Sequence, residues 1–360
     1  MKVLRFWTSH WNHDCTWWLS NFNLDAKRFR FVFDSENPDY LIVNDHVFTD
    51  NLAWKRFKRL NDSRRLCIFY SIEGVAPDLN IFDYAVVCDD MLTCGDRVVR
   101  RHPIHLWAEL FPEMNSRGPF DSRVELAAKT GFCNFIYSNA LAHPHREELF
   151  DALNSYKKVD SLGGHRNNVG NLPSRARLNW GELSVAMKRP YKFSIACENT
   201  RLSGYVTEKI VSSFLARTIP IYWGSPNCKQ DFNPRAFIDA NQMTLEEVVE
   251  SVRIIDSDDD MWMQMVSEPI MTEMQCKAAT KQLEDYRRFT ENVFSLPLKD
   301  AKRVPDGFQT DNYFRFIKQA KGVPLSWKER LFAALGRDTE LVDCILKFAR
   351  RKNCRPRALA

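Results

Sequence analysis

No stretch of the 360-residue chain approaches the run of about 18 apolar residues that a membrane-spanning helix requires. The amino terminus, MKVLRFWTSHW, opens on a strand-like run, so no secretion leader is read there. The ten cysteines stand singly, at 15, 67, 88, 94, 133, 197, 228, 276, 344 and 354. None forms a C-x-x-C pair, which argues against structural zinc. With no export signal they read as reduced thiols of a cytoplasmic protein. Neither G-x-x-x-x-G-K-[ST] nor G-x-G-x-x-G occurs, which disfavours an NTPase or a dinucleotide oxidoreductase. Charge of one sign is also scarce: 51 Lys and Arg against 46 Asp and Glu leave +5, too little to imply nucleic acid as a partner. There is no internal repeat and no low-complexity region.

What is present is a well-cored composition, 44% hydrophobic with 12% aromatic residues. Short runs rich in β-branched and aromatic residues alternate with helical patterns. In the first third the predicted strands are VLRFW (3–7), FRFVF (29–33), DYLIV (39–43), LCIFYS (66–71) and YAVVC (84–88), with NLAWKRFKRL (51–60) as a helix. The polar FPEMNSRGPFDSR (111–123) interrupts the pattern as a linker. A second series follows: FCNFIYS (132–138), the helix HREELFDALNSY (145–156), VDSLGG (159–164), KFSIAC (192–197), a helix after Thr207, and IPIYWG (219–224). Two β/α series predict an α/β protein of two doubly wound, Rossmann-like domains facing a cleft. The expected division is 1–128, 129–325, and a closing helix with a basic tail over 326–360. In that tail the stripe Leu341, Cys344, Ile345 and Phe348 suits either a closing helix or peripheral contact with an anionic membrane.

Ligands of open α/β sheets bind beyond the carboxyl ends of the strands. Four polar clusters fall there: Ser71, Glu73 and Gly74 after the fourth strand; Ser138 and Asn139, with Arg146 on the next helix; Arg166 in the turn after VDSL; and Glu198 and Asn199, leading to Tyr205, Glu208 and Lys209. Thr207 is a natural N-cap and Glu208 suits the helix dipole, but Lys209 opposes it by a few tenths of a kcal/mol unless an anion sits nearby. Arg146, Arg166 and Lys209 suit a pyrophosphate. His10, His13 and Asp14 lack a third spaced ligand, and DSDDD (256–260) reads as an acidic loop capping the next helix, so no metal site is assigned.

The segment CENTRLSGYVTEKIVSSFLARTIPIYWGSP closely resembles the signature of the α-1,3/4-fucosyltransferases, K-F-x-x-x-x-E-N followed by Y-V-T-E-K and I-P-I-Y-W-G-S-P. Here these are Lys192–Phe193, Glu198–Asn199, Tyr205 to Lys209 and Ile219 to Pro226. DFNPRAFID, FYSIEGVAPDLNIFDYAV and ALNSYKKVDSLGGHRNN extend the likeness, which resembles the bacterial soluble members over roughly residues 65 to 240. The resemblance implies GT-B architecture, GDP-fucose as donor and inversion of the fucosyl linkage. It implies Glu73 as general base, with Arg166 and Lys209 at the pyrophosphate. Ser138, Asn139, Arg146, Asn199, Tyr205, Val206, Thr207 and Glu208 complete the expected donor contacts. Ile72 stands where relatives have glycine or a small polar residue, and the C-terminal heptad repeats of some bacterial members are absent.

Single displacement needs one carboxylate opposite the leaving group, and a diphosphate leaving group can be stabilised by cationic side chains, so no metal cofactor is expected. The acceptor implied is the GlcNAc of an N-acetyllactosamine-type glycan. Another linkage or acceptor, or a glycan- or nucleotide-binding module without catalysis, are the alternatives.

Overall fold

The computed structural model describes residues 1–10, 13–103, 120–170, 180–305 and 307–319. They fall into two compact units. The first holds residues 1–103, 202–205 and 273–319, and the second holds 120–170, 180–201 and 206–272.

In the first unit, β1 (Lys2–Thr8), β2 (Phe29–Phe33), β3 (Tyr40–Val43), β4 (Leu66–Tyr70), β5 (Tyr84–Val87) and β6 (Val98–Arg100) form one sheet. Its order is β2-β1-β3-β4-β5-β6 and every pairing is parallel. Every residue of β3, β4 and β5 is buried, as continuous apolar runs covered on both faces require. Alternate residues divide between two cores. Ile42 and Ile68 join Phe6, Trp18, Phe22 and Phe31 on one face. Leu41, Val43 and Phe69 meet Phe57, Leu60 and Phe82 on the other. Asp14 caps the helix Cys15–Asn21 by accepting from Thr16 and Trp17, so it serves a helix end.

In the second unit, β7 (Gly131–Phe135), β8 (Val159–Ser161), β9 (Tyr191–Cys197), β10 (Ile219–Trp223) and β11 (Ile238–Asp239) give the parallel order β11-β10-β9-β7-β8. The winding direction reverses between β7 and β9, the switch point where such sheets bind ligands. The helices His145–Tyr156, Trp180–Lys188 and Glu208–Leu215 start or end close to it in sequence. A capping box of Thr244 and Glu247 opens the helix Leu245–Ser257, and Asp258 caps the helix Asp259–Ser267 as expected. Asp256 and Ser257 end the first helix, however, and Asp259 and Asp260 open the second, so the expected acidic loop is reduced to Asp258.

The expected domain of 129–325 needs correction, because the chain returns to the first unit at Glu273. The reason is the apolar stripe of the helix Glu273–Ser295. Tyr286, Val293 and Phe294 are buried in the core of the first sheet, with the Phe294 ring 5.0 Å from Phe22 and 5.2 Å from Tyr40. Asp83, fully buried on β5's approach, then accepts from the Arg303 and Val304 amides at 2.9 and 2.8 Å and from Lys302 Nζ at 3.1 Å. Most of the expected 111–123 linker and the whole 326–360 tail lie outside the described residues. The linker's last residues open a short helix capped by Asp121.

Candidate functional site

At the end of β7 the Tyr137 hydroxyl bridges to β9, accepting from Cys197 N–H at 2.7 Å beside the Cys197 and Ile195 carbonyls at 3.0 and 3.1 Å. The bridge fixes the two strand ends at the switch point. Arg146, in the first turn of His145–Tyr156, is completely buried over the Tyr137 ring, 4.6 Å from its centre. A buried guanidinium must satisfy its N–H groups locally. Nη2 donates to Asn139 O at 2.7 Å, Nη1 to Asn199 Oδ1 at 3.4 Å, and Nε and Nη2 each to Glu147 Oε1 at 3.2 Å.

Glu147 is the hub of this cluster. His165 Nε2 lies 2.8 Å from it, and Arg166 Nη1 donates at 3.1 Å. Burial raises its pKa, but the His165 contact and the two arginines prevail and hold the carboxyl down to about 2. Arg166 sits at φ 56°, a left-handed conformation that L residues adopt at a cost of about 1 kcal/mol. Its guanidinium lies 4.2 Å from the Phe150 ring centre and also pairs with Asp151. The turn leading to it needs glycine at 163, where a Cβ would lie 2.1 Å from Tyr137 O.

A second cluster begins at the end of β9. Glu198 is fully buried, and it accepts from Thr207 N at 2.7 Å, Thr207 Oγ1 at 2.6 Å and Lys209 Nζ at 3.3 Å. Burial pushes its pKa up, against the lowering effect of Lys209 and of Thr207. Lys209 Nζ also donates to Thr207 Oγ1 at 2.8 Å and lies 3.6 Å from Glu208 Oε1. Thr207 does occupy the N-cap of Glu208–Leu215, but its hydroxyl serves Glu198 instead of the helix amides. The anion that offsets Lys209's unfavourable place in the helix is therefore, in the first instance, Glu198. Gly224 makes room for that carboxylate, since a Cβ there would lie 2.4 Å from Glu198 Cγ.

In the first unit, Glu73 is half-buried just beyond β4. Tyr205 Oη donates to Glu73 Oε2 at 2.6 Å, and the Glu73 amide donates to Ser71 Oγ at 3.1 Å. Ser71 in turn donates to Asp45 at 2.9 Å, and Ser9 to Asn44 at 2.7 Å, so the ends of β1, β3 and β4 share one polar rim. The chain reaches Tyr205 through Gly204, at φ 80° and so close to Cys88 O that a Cβ would approach it to 2.2 Å.

Of the predicted site residues, the structure gathers Asn139, Arg146, Arg166 and Asn199 in one cluster, and Thr207, Glu208 and Lys209 in the next, both at the switch-point ends of β7 and β9. Ser138 is half-buried in the loop after β7, and Val206 is buried. Glu73 and Tyr205 form a separate pair in the first unit. Sequence reasoning missed Tyr137, Glu147, His165 and Lys188. HREE marks the start of a helix and GGHRNN a turn, but neither motif says that Glu147 and His165 meet. Among the described residues no group of three or more His, Cys, Asp or Glu side chains is arranged to hold a metal ion.

The chain is similar to known proteins. Residues 126–286 match Glycosyltransferase family 10 (fucosyltransferase) C-term. The chain is 30% identical over 277 residues to the alpha-(1,3)-fucosyltransferase FucT of Helicobacter pylori, covering 68% of this chain and 54% of that protein. It is 31% identical over 136 residues to an alpha-(1,4)-fucosyltransferase of Arabidopsis thaliana, 34% of each chain. The match to FucT thus spans about half of that protein's length. A crystal structure of an alpha1,3-fucosyltransferase with GDP-fucose superposes with TM-score 0.59 at 22% identity, covering 81% of this chain and 91% of that one, which shows the GT-B fold class.

Proposed function

We propose that this chain, which belongs to glycosyltransferase family 10, the fucosyltransferases, moves L-fucose from GDP-fucose to the GlcNAc of N-acetyllactosamine-type glycans in α-1,3 linkage. The observation that supports this most directly is the set of signature residues at the β7–β9 switch point, with Arg146, Arg166 and Lys209 held in place by Glu147 and Glu198. Arg166 and Lys209 face the diphosphate, sharing their charge between it and their carboxylate partners. Asn139, Ser138 and Asn199 suit nucleotide hydroxyls and base edges, and Glu208 a sugar hydroxyl.

In the reaction, Glu73 takes the proton of the acceptor hydroxyl as that oxygen bonds to the anomeric carbon of fucose. The bond from this carbon to the diphosphate oxygen breaks with inversion, and GDP leaves with the electron pair. The two cations stabilise the charge that develops on the diphosphate. Metal independence is part of the proposal, because these side chains supply the positive charge. Full turnover in excess chelator supports it, and collapse of turnover refutes it. No helix among the described residues is long and apolar enough to cross a membrane. Cytoplasmic residence is part of the proposal, and fractionation of the producing cells tests it.

The test is GDP release from GDP-fucose with lactose, N-acetyllactosamine and its type 1 isomer offered separately, and product linkage read by NMR. Release with N-acetyllactosamine and an α-1,3 product is expected. An α-1,4 product from the type 1 isomer alone would overturn the linkage, and binding of GDP-fucose without consumption would mean a binding module.

A further inference from the structure

Lys188 ends the helix Trp180–Lys188 and is buried beneath the helix Glu208–Leu215. Its Nζ donates to Ser212 Oγ at 2.6 Å, Lys209 O at 2.8 Å and Ser213 Oγ at 3.0 Å. An ammonium has three N–H bonds, and all three are used. The Lys209 carbonyl can only accept, and both serine hydroxyls have other oxygens to donate to. The Ser212 hydroxyl proton goes to a carbonyl, with Glu208 O at 2.7 Å and Lys209 O at 3.2 Å. Ser213 has Lys209 O at 2.7 Å and Ser194 Oγ at 3.1 Å, and Ser194 itself donates to Asn134. With both serine protons directed at oxygen, a neutral amine could gain a donor only if one of those hydrogen bonds were given up. The shell therefore fits the protonated form.

We propose that the Lys188 ammonium is a positioning residue for the donor-binding turn, clamping the Lys209 carbonyl and the Ser212 and Ser213 hydroxyls so that Glu208 and Lys209 are presented correctly, and that loss of its proton weakens donor binding. The inference rests on the reading that Glu208 and Lys209 contact the nucleotide sugar. Burial pulls the lysine's pKa down to about 7, with Glu208 and Glu198 opposing the fall and Lys209 adding to it. The clamp is thus intact in mildly acidic solution and is released as pH rises through neutrality. The charged groups that act on Lys188 are Glu208, Lys209 and Glu198, and from β9 the neutral Ser194 reaches the cluster through Ser213.

The experiment is calorimetric binding of GDP-fucose without acceptor, whose diphosphate diester does not titrate near neutrality. For the unaltered protein, affinity is expected to fall about tenfold between about pH 6 and about pH 8.5. Lys188→Arg keeps a charge that does not titrate, so its affinity stays flat across that range. Lys188→Met binds throughout like the high-pH form. An inflection that persists in Lys188→Arg and Lys188→Met belongs to another group and overturns the proposal, as does a flat profile in the unaltered protein. Should Lys188→Met fail to fold, Ser212→Ala decides. Removing one acceptor of the ammonium moves the inflection to lower pH, and an unmoved inflection counts against the clamp. Lys209→Ala separates the two readings. Unchanged GDP-fucose affinity in that variant overturns the donor assignment itself, whereas weakened affinity beside an unaltered pH profile in the Lys188 variants overturns only the clamp.

Discussion

Tyr205 and Glu73 lie 132 residues apart in sequence and share a 2.6 Å hydrogen bond, phenol to carboxylate. The bond points one carboxylate oxygen at Tyr205, and in the proposed reading the other meets the acceptor hydroxyl. If Glu73 is the base, Glu73→Gln should lower kcat by roughly 10²–10⁴ with GDP affinity nearly intact. Tyr205→Phe should lower kcat about tenfold, the scale of one hydrogen bond to a charged group. In the double variant the tyrosine effect should disappear, because there is no carboxylate left to orient. Single-turnover rates across the four proteins check this, and additive losses would show that Tyr205 acts elsewhere.

Lys209 carries two obligations that a double substitution can separate. Its ammonium neutralises the fully buried Glu198 and, in the proposed reading, meets the diphosphate. Lys209→Ala should weaken GDP binding by about 1.5–3 kcal/mol. It should also destabilise the fold by about 3 kcal/mol, because a buried carboxylate is left unpaired. Adding Glu198→Gln should restore much of the stability and none of the GDP affinity. Urea denaturation and calorimetry on the same preparations read the two effects apart, and recovery of both together would make Lys209 purely structural.

The parts of this architecture legible in the sequence are those whose physics is local. FRFVF and NLAWKRFKRL are observed as Phe29–Phe33 and Asn51–Leu60, since a short run rich in aromatic and β-branched residues and a capped amphipathic stripe each declare themselves within ten residues. The helix His145–Tyr156 is likewise where its pattern places it. What was not legible depends on partners far along the chain. An amphipathic face on Glu273–Ser295 does not say which of two sheets it will cover. Lys188 and Glu147 look like solvated charges until Ser212, Ser213, His165 and Arg166 are brought to them. The resemblance named Arg146 and Lys209, but it did not indicate that each is ion-paired within its own unit.

Asp83 tests the return of the chain to the first unit. It is fully buried and holds the Lys302 ammonium together with the Arg303 and Val304 amides. Asp83→Asn leaves the lysine without its counter-charge and puts an amide NH₂ where a donor faces donors. The expected loss is about 3 kcal/mol of stability, with kcat and KM at permissive temperature little changed. Thermal melts alongside initial rates check it. A large change in kcat at full stability would assign Asp83 a role in the chemistry.

Glu147 should contribute to the acid sensitivity of the second unit. Its folded pKa, about 2, lies below the ordinary carboxylate value of 4.5. A depressed carboxylate pKa contributes stability that is present above the unfolded value and lost as pH falls through the folded one. Discounted for partial exposure, the contribution is about 1–2 kcal/mol, lost progressively between about pH 4.5 and about pH 2. Glu147→Gln should therefore be less stable than the unaltered protein at neutral pH and should converge with it in acid. The same substitution removes the carboxylate that Arg146 and Arg166 share, so GDP binding at neutral pH should change as well. Denaturation curves at several pH values supply the comparison. A stability difference that stayed constant from neutrality down to pH 3 would place the acid sensitivity in another carboxylate.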